Sequence, residues 1–274
     1  MADTRNPQVA MHYSELSGVL FDVDDTLLNN RSAVLESGGE HIRIGMHEIS
    51  RVAAGHEAGQ KWDIPWLASQ TYDQAQAAFD TAPAHSLESC LWNTLKLAGV
   101  VAGDTVDHGN EIFQFLVRRK NELHEDVLRK HWREVPGAIG FVSLLAERGL
   151  DGKMGIASTS ERRDVLLFLE LSGLKQYFPG DQIVTKEQFV HPKPHPEPFD
   201  VGFARLGIPE ASRSRVMAFE DDPRGIMSAK AAGLYTAAIT TRFSSHELAA
   251  LEVPPDFIAE SYHEFSELLG LSKQ

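Results

Sequence analysis

Three carboxylates lie within four residues near the start of the chain, in the segment Asp22-Val-Asp24-Asp25-Thr26. The apolar residues 19–21 before them predict a short buried strand, which puts the carboxylates at its C-terminal end. Like charges this close raise one another's pKa unless a cation lies among them. Mg²⁺ takes oxygen ligands and often bridges carboxylates to a substrate phosphate. The segment therefore predicts a divalent-cation site, although alone it is equally consistent with an acidic turn.

Three more polar clusters lie at or just beyond the ends of predicted strands: Ser158-Thr159, Lys193 in a proline-dense loop, and Glu220-Asp221-Asp222. Together with the first segment they supply a nucleophile, hydroxyl and N–H groups, one cation and a second acidic pair. Phosphoryl transfer needs such a set for charge neutralisation, positioning and proton transfer. Each cluster also has a structural explanation: a helix N-cap at Ser158, a solvated loop lysine, and a capping cluster before Pro223.

From Pro136 onward, predicted strands alternate with predicted helices. The strands are residues 153–158, 182–185, 215–220, 235–239 and 257–258, and the helices are 137–148, 162–171, 199–206, 225–232 and 263–271. This alternation predicts an α/β fold with a doubly wound parallel sheet. Right-handed crossovers place the C-terminal ends of its strands along one edge, so we expect the four clusters to converge there.

Residues 31–134 lack a convincing strand and predict helices at 41–54, 86–97 and 110–132. In the last of these, Arg118, Arg119 and Lys120 are assigned to the face opposite an apolar stripe. We therefore predict an all-helical insert at residues 32–133 within a discontinuous α/β core made of residues 1–31 and 134–274.

The composition bounds the function further. The chain has 274 residues and a net charge of −13, from 26 basic and 39 acidic residues, which disfavours binding to nucleic acid or an anionic membrane. The single cysteine, Cys90, excludes an intrachain disulfide and suits a reducing compartment. With no signal-peptide pattern at the N-terminus and no long apolar run, we expect a cytoplasmic monomer or homodimer acting on a small phosphorylated metabolite.

The four clusters resemble the motifs of the haloacid dehalogenase (HAD) superfamily, in the type with a helical cap inserted after the first motif. Asp22-Val-Asp24-Asp25-Thr26 is similar to the first motif, and Ser158 occupies the place of the second. The third and fourth motifs resemble the segments Lys193-Pro-His-Pro-Glu-Pro-Phe199 and Glu220-Asp-Asp-Pro-Arg-Gly225. The resemblance covers residues 15–31 and 134–270 and implies a Rossmann-like core.

The chemistry and the resemblance imply the same roles. Asp22 attacks phosphorus and forms an aspartyl-phosphate, while Asp24 serves as general acid and base. Phosphoryl oxygens are bound by Ser158 and the Thr159 N–H, and Lys193 balances the charge. Mg²⁺ is the implied cofactor, with its ligands from Asp22, the Asp24 carbonyl, Asp221 and Glu220.

Four functions are consistent with a chain of this kind, and the residues favour a Mg²⁺-dependent phosphatase for small phosphomonoesters. A β-phosphoglucomutase-like sugar phosphomutase is the alternative. It is weakened because residues 28–40 lack the Asp-Ser/Thr and His of many sugar-phosphate enzymes, and because Thr26 replaces a valine of such mutases. A metal-independent dehalogenase would need neither Asp24 nor the fourth cluster, and a non-catalytic module would have lost a charged group. Asp25 and Asp222 stand where Gly and Ser are frequent, and each adds negative charge.

Substrate specificity is expected in the insert. Candidates are the aromatic segment containing Trp62 and Trp66 and the basic run Arg118-Arg119-Lys120, although packing within the insert explains the tryptophans better and a solvated helix face explains the basic run better. His191 and His195 flank Lys193, where a role on the loop surface is the simpler interpretation.

Overall fold

A computed structural model describes residues 11–30, 33–37, 40–83 and 86–271. Residues 1–10 of the N-terminal segment used to predict localisation lie outside this range. The chain divides into two compact units: one contains the chain up to Asn29 and from Arg133 onward, and the other is Asn30–Trp132. No helix in the described part of the chain is long and apolar enough to cross a bilayer.

The described residues form eight strands: β1 (Gly18–Phe21), β2 (Ala33–Ser37), β3 (Glu40–Ile44), β4 (Met154–Ala157), β5 (Ile183–Val184), β6 (Val216–Glu220), β7 (Tyr235–Ile239) and β8 (Phe257–Ala259). Six of them form one parallel sheet in the order β5-β4-β1-β6-β7-β8. The prediction of an α/β fold with a doubly wound parallel sheet is confirmed.

Eleven α-helices lie in the same described ranges: α1 (Met46–Trp62), α2 (Pro65–Ala68), α3 (Tyr72–Asp80), α4 (Leu87–Leu97), α5 (Glu111–His131), α6 (Ala138–Leu145), α7 (Arg162–Leu171), α8 (Glu197–Arg205), α9 (Pro223–Ala231), α10 (Ser245–Ala249) and α11 (Tyr262–Leu268). Local capping fixes several boundaries. The side chains of Ser86 and Asn110 accept from the N–H groups of Ser89 and Phe113, so α4 and α5 each begin one residue later than predicted.

Strand β1 lies at the centre of the sheet, and its register determines which residues meet at the carboxyl edge. Phe21 is paired with Ile156 on one side and with Phe219 on the other. The Phe21 ring stacks on Phe219 with their centroids 4.9 Å apart, and all of β1, β4 and β6 is buried. The residues that follow these three strands therefore lie next to one another at the edge of the apolar core.

The insert is mostly helical, but one predicted boundary is wrong. Strands β2 and β3 pair antiparallel, so residues 31–134 do contain strands, and α1 begins only at Met46, after Gly45, rather than at residue 41. Ile42 and Ile44 alternate with polar residues, which is the period of a strand and was counted as part of a helical face. Helix α3 was not predicted, because alanines dominate its buried face.

The assignment of Lys120 to a solvated helix face is also wrong. Lys120 is 2% exposed. It occupies the buried stripe of α5, whose members are Phe113, Leu116, Lys120, His124 and Leu128. Residues three or four positions apart lie on one helix face, so the stripe passes through position 120 whatever its charge.

Candidate active site

The chain turns sharply after β1. The Asp22 N–H donates to the Phe219 carbonyl of β6, and the Val23 carbonyl then accepts from Leu27 and Leu28 N–H groups at 2.9 and 2.8 Å. Asp25 lies at φ 60°, in the left-handed region, where aspartate is one of the few tolerated side-chain-bearing residues. This backbone geometry explains why glycine suits the position. Asp25 keeps the turn and adds a carboxylate to it.

Lys193 joins two of the predicted site residues. Its Nζ donates to Asp22 Oδ1 and to Glu220 Oε1, both at 2.6 Å, and its side chain is 7% exposed. A buried ammonium between two carboxylates is not a solvated loop lysine. Burial alone would lower the pKa of Lys193, but the charges of Asp22 and Glu220 raise it above its ordinary value.

Glu220 is held from both sides. Its Oε2 accepts from the N–H groups of Asp221 and Asp222 at 3.1 and 3.3 Å, while Oε1 accepts from Lys193. Gly225, in α9, leaves the space that this carboxylate occupies, because a Cβ there would lie 1.9 Å from Glu220 Oε1. The structure thus explains why this position of the fourth motif must be a glycine.

Asp221 has one oxygen with a hydrogen-bond partner and one without. Oδ1 accepts from Thr26 Oγ1 at 3.3 Å, whereas Oδ2 is buried and has no hydrogen-bond partner among the described residues. Asp22, Glu220 and Asp221 each offer a carboxylate oxygen within 4.8 Å of the others. An orphaned buried oxygen within a set of hard oxygen donors fits a divalent cation such as Mg²⁺.

The pKa values of these carboxyls reflect their crowding. Burial raises the pKa of Asp22 to about 6, with Lys193 opposing the rise and Asp24 adding to it. Burial likewise raises the pKa of Glu220 to about 7, again opposed by Lys193. Burial, then the charges of Glu220 and Asp22, raise the pKa of Asp221 well above its usual range. Groups in this state favour an added cation.

Asp24 and the second motif meet through a residue that the sequence analysis missed. The hydroxyl of Ser160 donates to Asp24 Oδ2, and the Ser160 N–H donates to Ser158 Oγ at 3.1 Å. Ser158 is buried, and Thr159 is exposed at the same strand end. Ser158 is not the cap of α7, because Glu161 occupies that position. Ser160 lies two residues beyond Ser158, so inspecting the whole strand end would have found it.

Arg242 is the second functional candidate that was missed. Its guanidinium lies 3.1 Å from Asp222 Oδ2 and 3.9 Å from oxygens of both Asp25 and Asp221. It offsets the two acids that depart from the usual motifs, while Asp222 also caps α9. Arg242 follows β7, whose carboxyl end lies on the same edge of the sheet as those of β1 and β6. The position of Arg242 just after a predicted strand was the feature of the sequence that could have identified it.

The insert residues proposed for specificity have other contacts. Trp62 and Trp66 pack against the apolar core of the insert, and Trp62 meets Phe115 edge to face at 5.1 Å. Arg119 pairs with Glu57 and Glu122, whereas Arg118 is exposed. Packing therefore accounts for the tryptophans, and contact with substrate remains a prediction for all of these residues. His191 and His195 are exposed beside Glu197.

Comparison with known proteins identifies one family and several named relatives. Residues 16–233 match the family described as haloacid dehalogenase-like hydrolase. Pyrophosphatase PpaX of Anoxybacillus flavithermus is 26% identical over 260 residues, covering 94% of this chain and 99% of the relative. Glycerol-1-phosphate phosphohydrolase 1 of Saccharomyces cerevisiae is 31% identical over 157 residues, covering 56% of this chain and 58% of the relative.

Solved structures share the fold. An HAD hydrolase of family IA, variant 3, from Entamoeba histolytica superposes with a TM-score of 0.67 at 19% identity, covering 93% of this chain and 98% of that chain. CbbY from Rhodobacter sphaeroides, in complex with phosphate, gives a TM-score of 0.65 at 19% identity, covering 93% and 99%. At this level of identity the likeness concerns the fold alone.

Proposed function

Because this chain belongs to the haloacid dehalogenase-like hydrolases, we propose that it is a Mg²⁺-dependent phosphatase that hydrolyses a small phosphomonoester through an aspartyl-phosphate. The observation that carries the proposal is Lys193, buried between Asp22 and Glu220, whose carboxylate oxygens lie within 4.8 Å of one from Asp221. A carboxylate beside a fixed positive charge supports the proposal, because phosphoryl transfer needs a nucleophile and neutralisation of the phosphoryl charge.

In the first step, an oxygen of Asp22 attacks phosphorus, and the bond to the ester oxygen breaks. Lys193 stays protonated throughout the neutral range and stabilises the charge that spreads over the phosphoryl oxygens. Ser158 and the Thr159 N–H, at the end of β4, bind those oxygens in this proposal. Glu220 anchors Lys193, because both of its oxygens already have partners. Its role as a metal ligand remains a prediction.

Asp24 moves the proton. It protonates the leaving oxygen as the phosphoryl group reaches Asp22, then takes a proton from the water that hydrolyses the aspartyl-phosphate. The Ser160 hydroxyl holds the Asp24 carboxyl in place from the neighbouring strand end.

Asp22, the Asp24 carbonyl and Asp221 would hold Mg²⁺. Thr26 orients Asp221 by donating a hydrogen bond to its Oδ1. When bound, the ion neutralises charge on the carboxylates and on the phosphoryl group. Asp221 Oδ2 has no hydrogen bond to give up on binding it.

The substrate class is a small phosphate ester. The names of the relatives motivate testing pyrophosphate and glycerol phosphate alongside simple monoesters. Sugar phosphomutase activity remains the alternative, since a sugar hydroxyl could replace water at the aspartyl-phosphate. The motif departures at residues 26 and 28–40 argue against it.

A panel of phosphate esters with Mg²⁺, comparing wild type with Asp22→Asn, tests the proposal. We expect the wild type to release phosphate from small monoesters and the variant to lose at least about 10³-fold in kcat, because the nucleophile is removed. Mapping of phosphorylated products from sugar phosphates separates hydrolysis from transfer. Retained activity in Asp22→Asn would reject the covalent route.

A further inference from the structure

The loop that carries Lys193 also carries a second group of metal-ligating side chains: His191, His195 and Glu197. The two imidazole rings have their centroids 4.6 Å apart. His191 Nδ1 lies 2.8 Å and His195 Nδ1 4.0 Å from Glu197 Oε2. One ligand atom from each of the three residues lies within 4.8 Å of the others. Ligand atoms about 2 Å from one ion lie about 3.3 Å apart, so only small rotations are needed to enclose one.

The backbone holds this group in place. Glu197 accepts from the N–H groups of Val190 and His191 at 2.9 Å each, and the carbonyl of His195 accepts from Ser228 Oγ at 2.6 Å. Prolines occupy every second position from 192 to 198, which limits the freedom of the loop. The two backbone hydrogen bonds lower the pKa of Glu197 to about 2, so its carboxylate is ionised at neutral pH. Binding an ion here would therefore require little ordering of the chain.

We propose that His191, His195 and Glu197 form a second metal site, selective for a borderline transition-metal ion such as Zn²⁺. Two imidazole nitrogens and one carboxylate suit Zn²⁺, whereas Mg²⁺ prefers the oxygen donors around Asp221. His195 Nδ1 accepts the N–H of Glu197 at 3.2 Å, so this nitrogen is deprotonated, and a metal ion would take its lone pair in place of that hydrogen bond. Water would complete the coordination, since both histidines are exposed.

Occupation of this site would affect Lys193, which lies two residues from each histidine. Rotation of the two histidines onto an ion would shift the Lys193 backbone between them and disturb the hydrogen bonds of its Nζ to Asp22 and Glu220. Zinc would therefore lower kcat. This second part of the inference rests on the proposed function, whereas the binding site itself does not.

The site is tested by titrating zinc into the full chain without a histidine tag and measuring binding by isothermal titration calorimetry. The buffer contains millimolar Mg²⁺. Mg²⁺ keeps zinc away from the acidic cluster. We expect one zinc ion per chain and at least about a tenfold loss of affinity in His191→Ala, because one of three protein ligands is removed. His263→Ala is the matched control: His263 is also exposed and lies 3.8 Å from Glu267, but it belongs to no group of three metal-ligating side chains among the described residues, so its loss should leave binding unchanged.

The absence of zinc binding by the wild type, or equal binding by wild type and His191→Ala, would overturn the site. Glu197→Gln provides a second variant, and melting curves without zinc verify that each variant is folded. For the regulatory part, zinc should inhibit phosphate release by the wild type but much less by His191→Ala. Equal inhibition of the two overturns that part. A chain that binds zinc through His191 but releases no phosphate overturns the proposed function and leaves the site standing.

Discussion

A group of buried or half-buried charges in one unit can be compared with a second such group in the other unit, and the two differ in sign and origin. The acidic edge consists of Asp22, Glu220 and Asp221 with Lys193, at the ends of strands or in a following loop. The basic cluster consists of His47, Arg51, Lys120 and His124, on helices α1 and α5. Strand ends of a parallel sheet bring distant residues together by topology, whereas helix faces do so through side-chain periodicity.

The electrostatics of the two groups differ as well. In the acidic edge, Lys193 offsets two carboxylates directly at 2.6 Å. In the basic cluster, the rings of His47 and His124 stack with their centroids 4.1 Å apart. Burial, followed by the charges of His124, Lys120 and Arg51, lowers the pKa of His47 well below its usual range. The first group is the proposed cation site, and the second disfavours protonation of His47.

Among the tests of this comparison, removing the Lys193 ammonium from the acidic edge gives the largest expected effect. Lys193→Met should lower kcat at least about 10²-fold, because a preorganised charge opposite the phosphoryl oxygens is lost. Steady-state kinetics checks this, and urea unfolding verifies that the variant folds. Lys186→Met is the control: Lys186 is exposed and paired with Glu161 at 2.9 Å, so kcat should not change. A Lys193→Met enzyme within threefold of wild type would remove Lys193 from the mechanism.

The pH dependence of stability without metal is the next effect. Asp22 and Glu220, with pKa values raised to about 6 and about 7, bind protons more tightly in the folded chain than in the unfolded one. Their contribution to stability is therefore present at low pH and is lost as pH rises from about 4 to about 7. Mg²⁺ should then raise the melting temperature more at pH 8 than at pH 5. An equal effect of Mg²⁺ at both values would contradict the site.

A smaller effect tests the basic cluster. Lys120→Met removes one of the charges that disfavour protonation of His47, so the pKa of His47 should rise toward its ordinary value. NMR titration of the imidazole proton measures this shift. Arg118→Met, on the exposed side of the same helix, is the control and should leave the pKa of His47 unchanged. An unchanged pKa in Lys120→Met would show that the charge of Lys120 does not contribute to lowering it.

The acidic edge could be predicted from the sequence because every member follows a recognisable apolar run or loop. The right-handed crossover rule then fixes the edge without knowledge of any side-chain contact. The same rule could have indicated Arg242, since it follows β7. Its role depends on pairing with Asp222 and lying near Asp25, and no pattern in the sequence indicates these contacts.

The basic cluster could not be predicted in this way. A charged residue within an amphipathic pattern is assigned to solvent by default, and Lys120 violates that rule. The start of α1 was misplaced for a related reason: two isoleucines spaced by two residues fit both a strand and a poorly formed helical face. Local patterns do not decide such cases, because the packing partners are distant in the sequence.

The most direct test of the central claim is a Mg²⁺ titration by isothermal calorimetry. If Asp22 and Asp221 share one ion, the wild type should bind one Mg²⁺ per chain, and Asp221→Asn should lose at least about tenfold in affinity. Asp222→Asn, at a neighbouring carboxylate that caps α9 and pairs with Arg242, should stay within about threefold of wild type. Equal Mg²⁺ affinities for wild type and Asp221→Asn would contradict a metal site at this edge of the sheet.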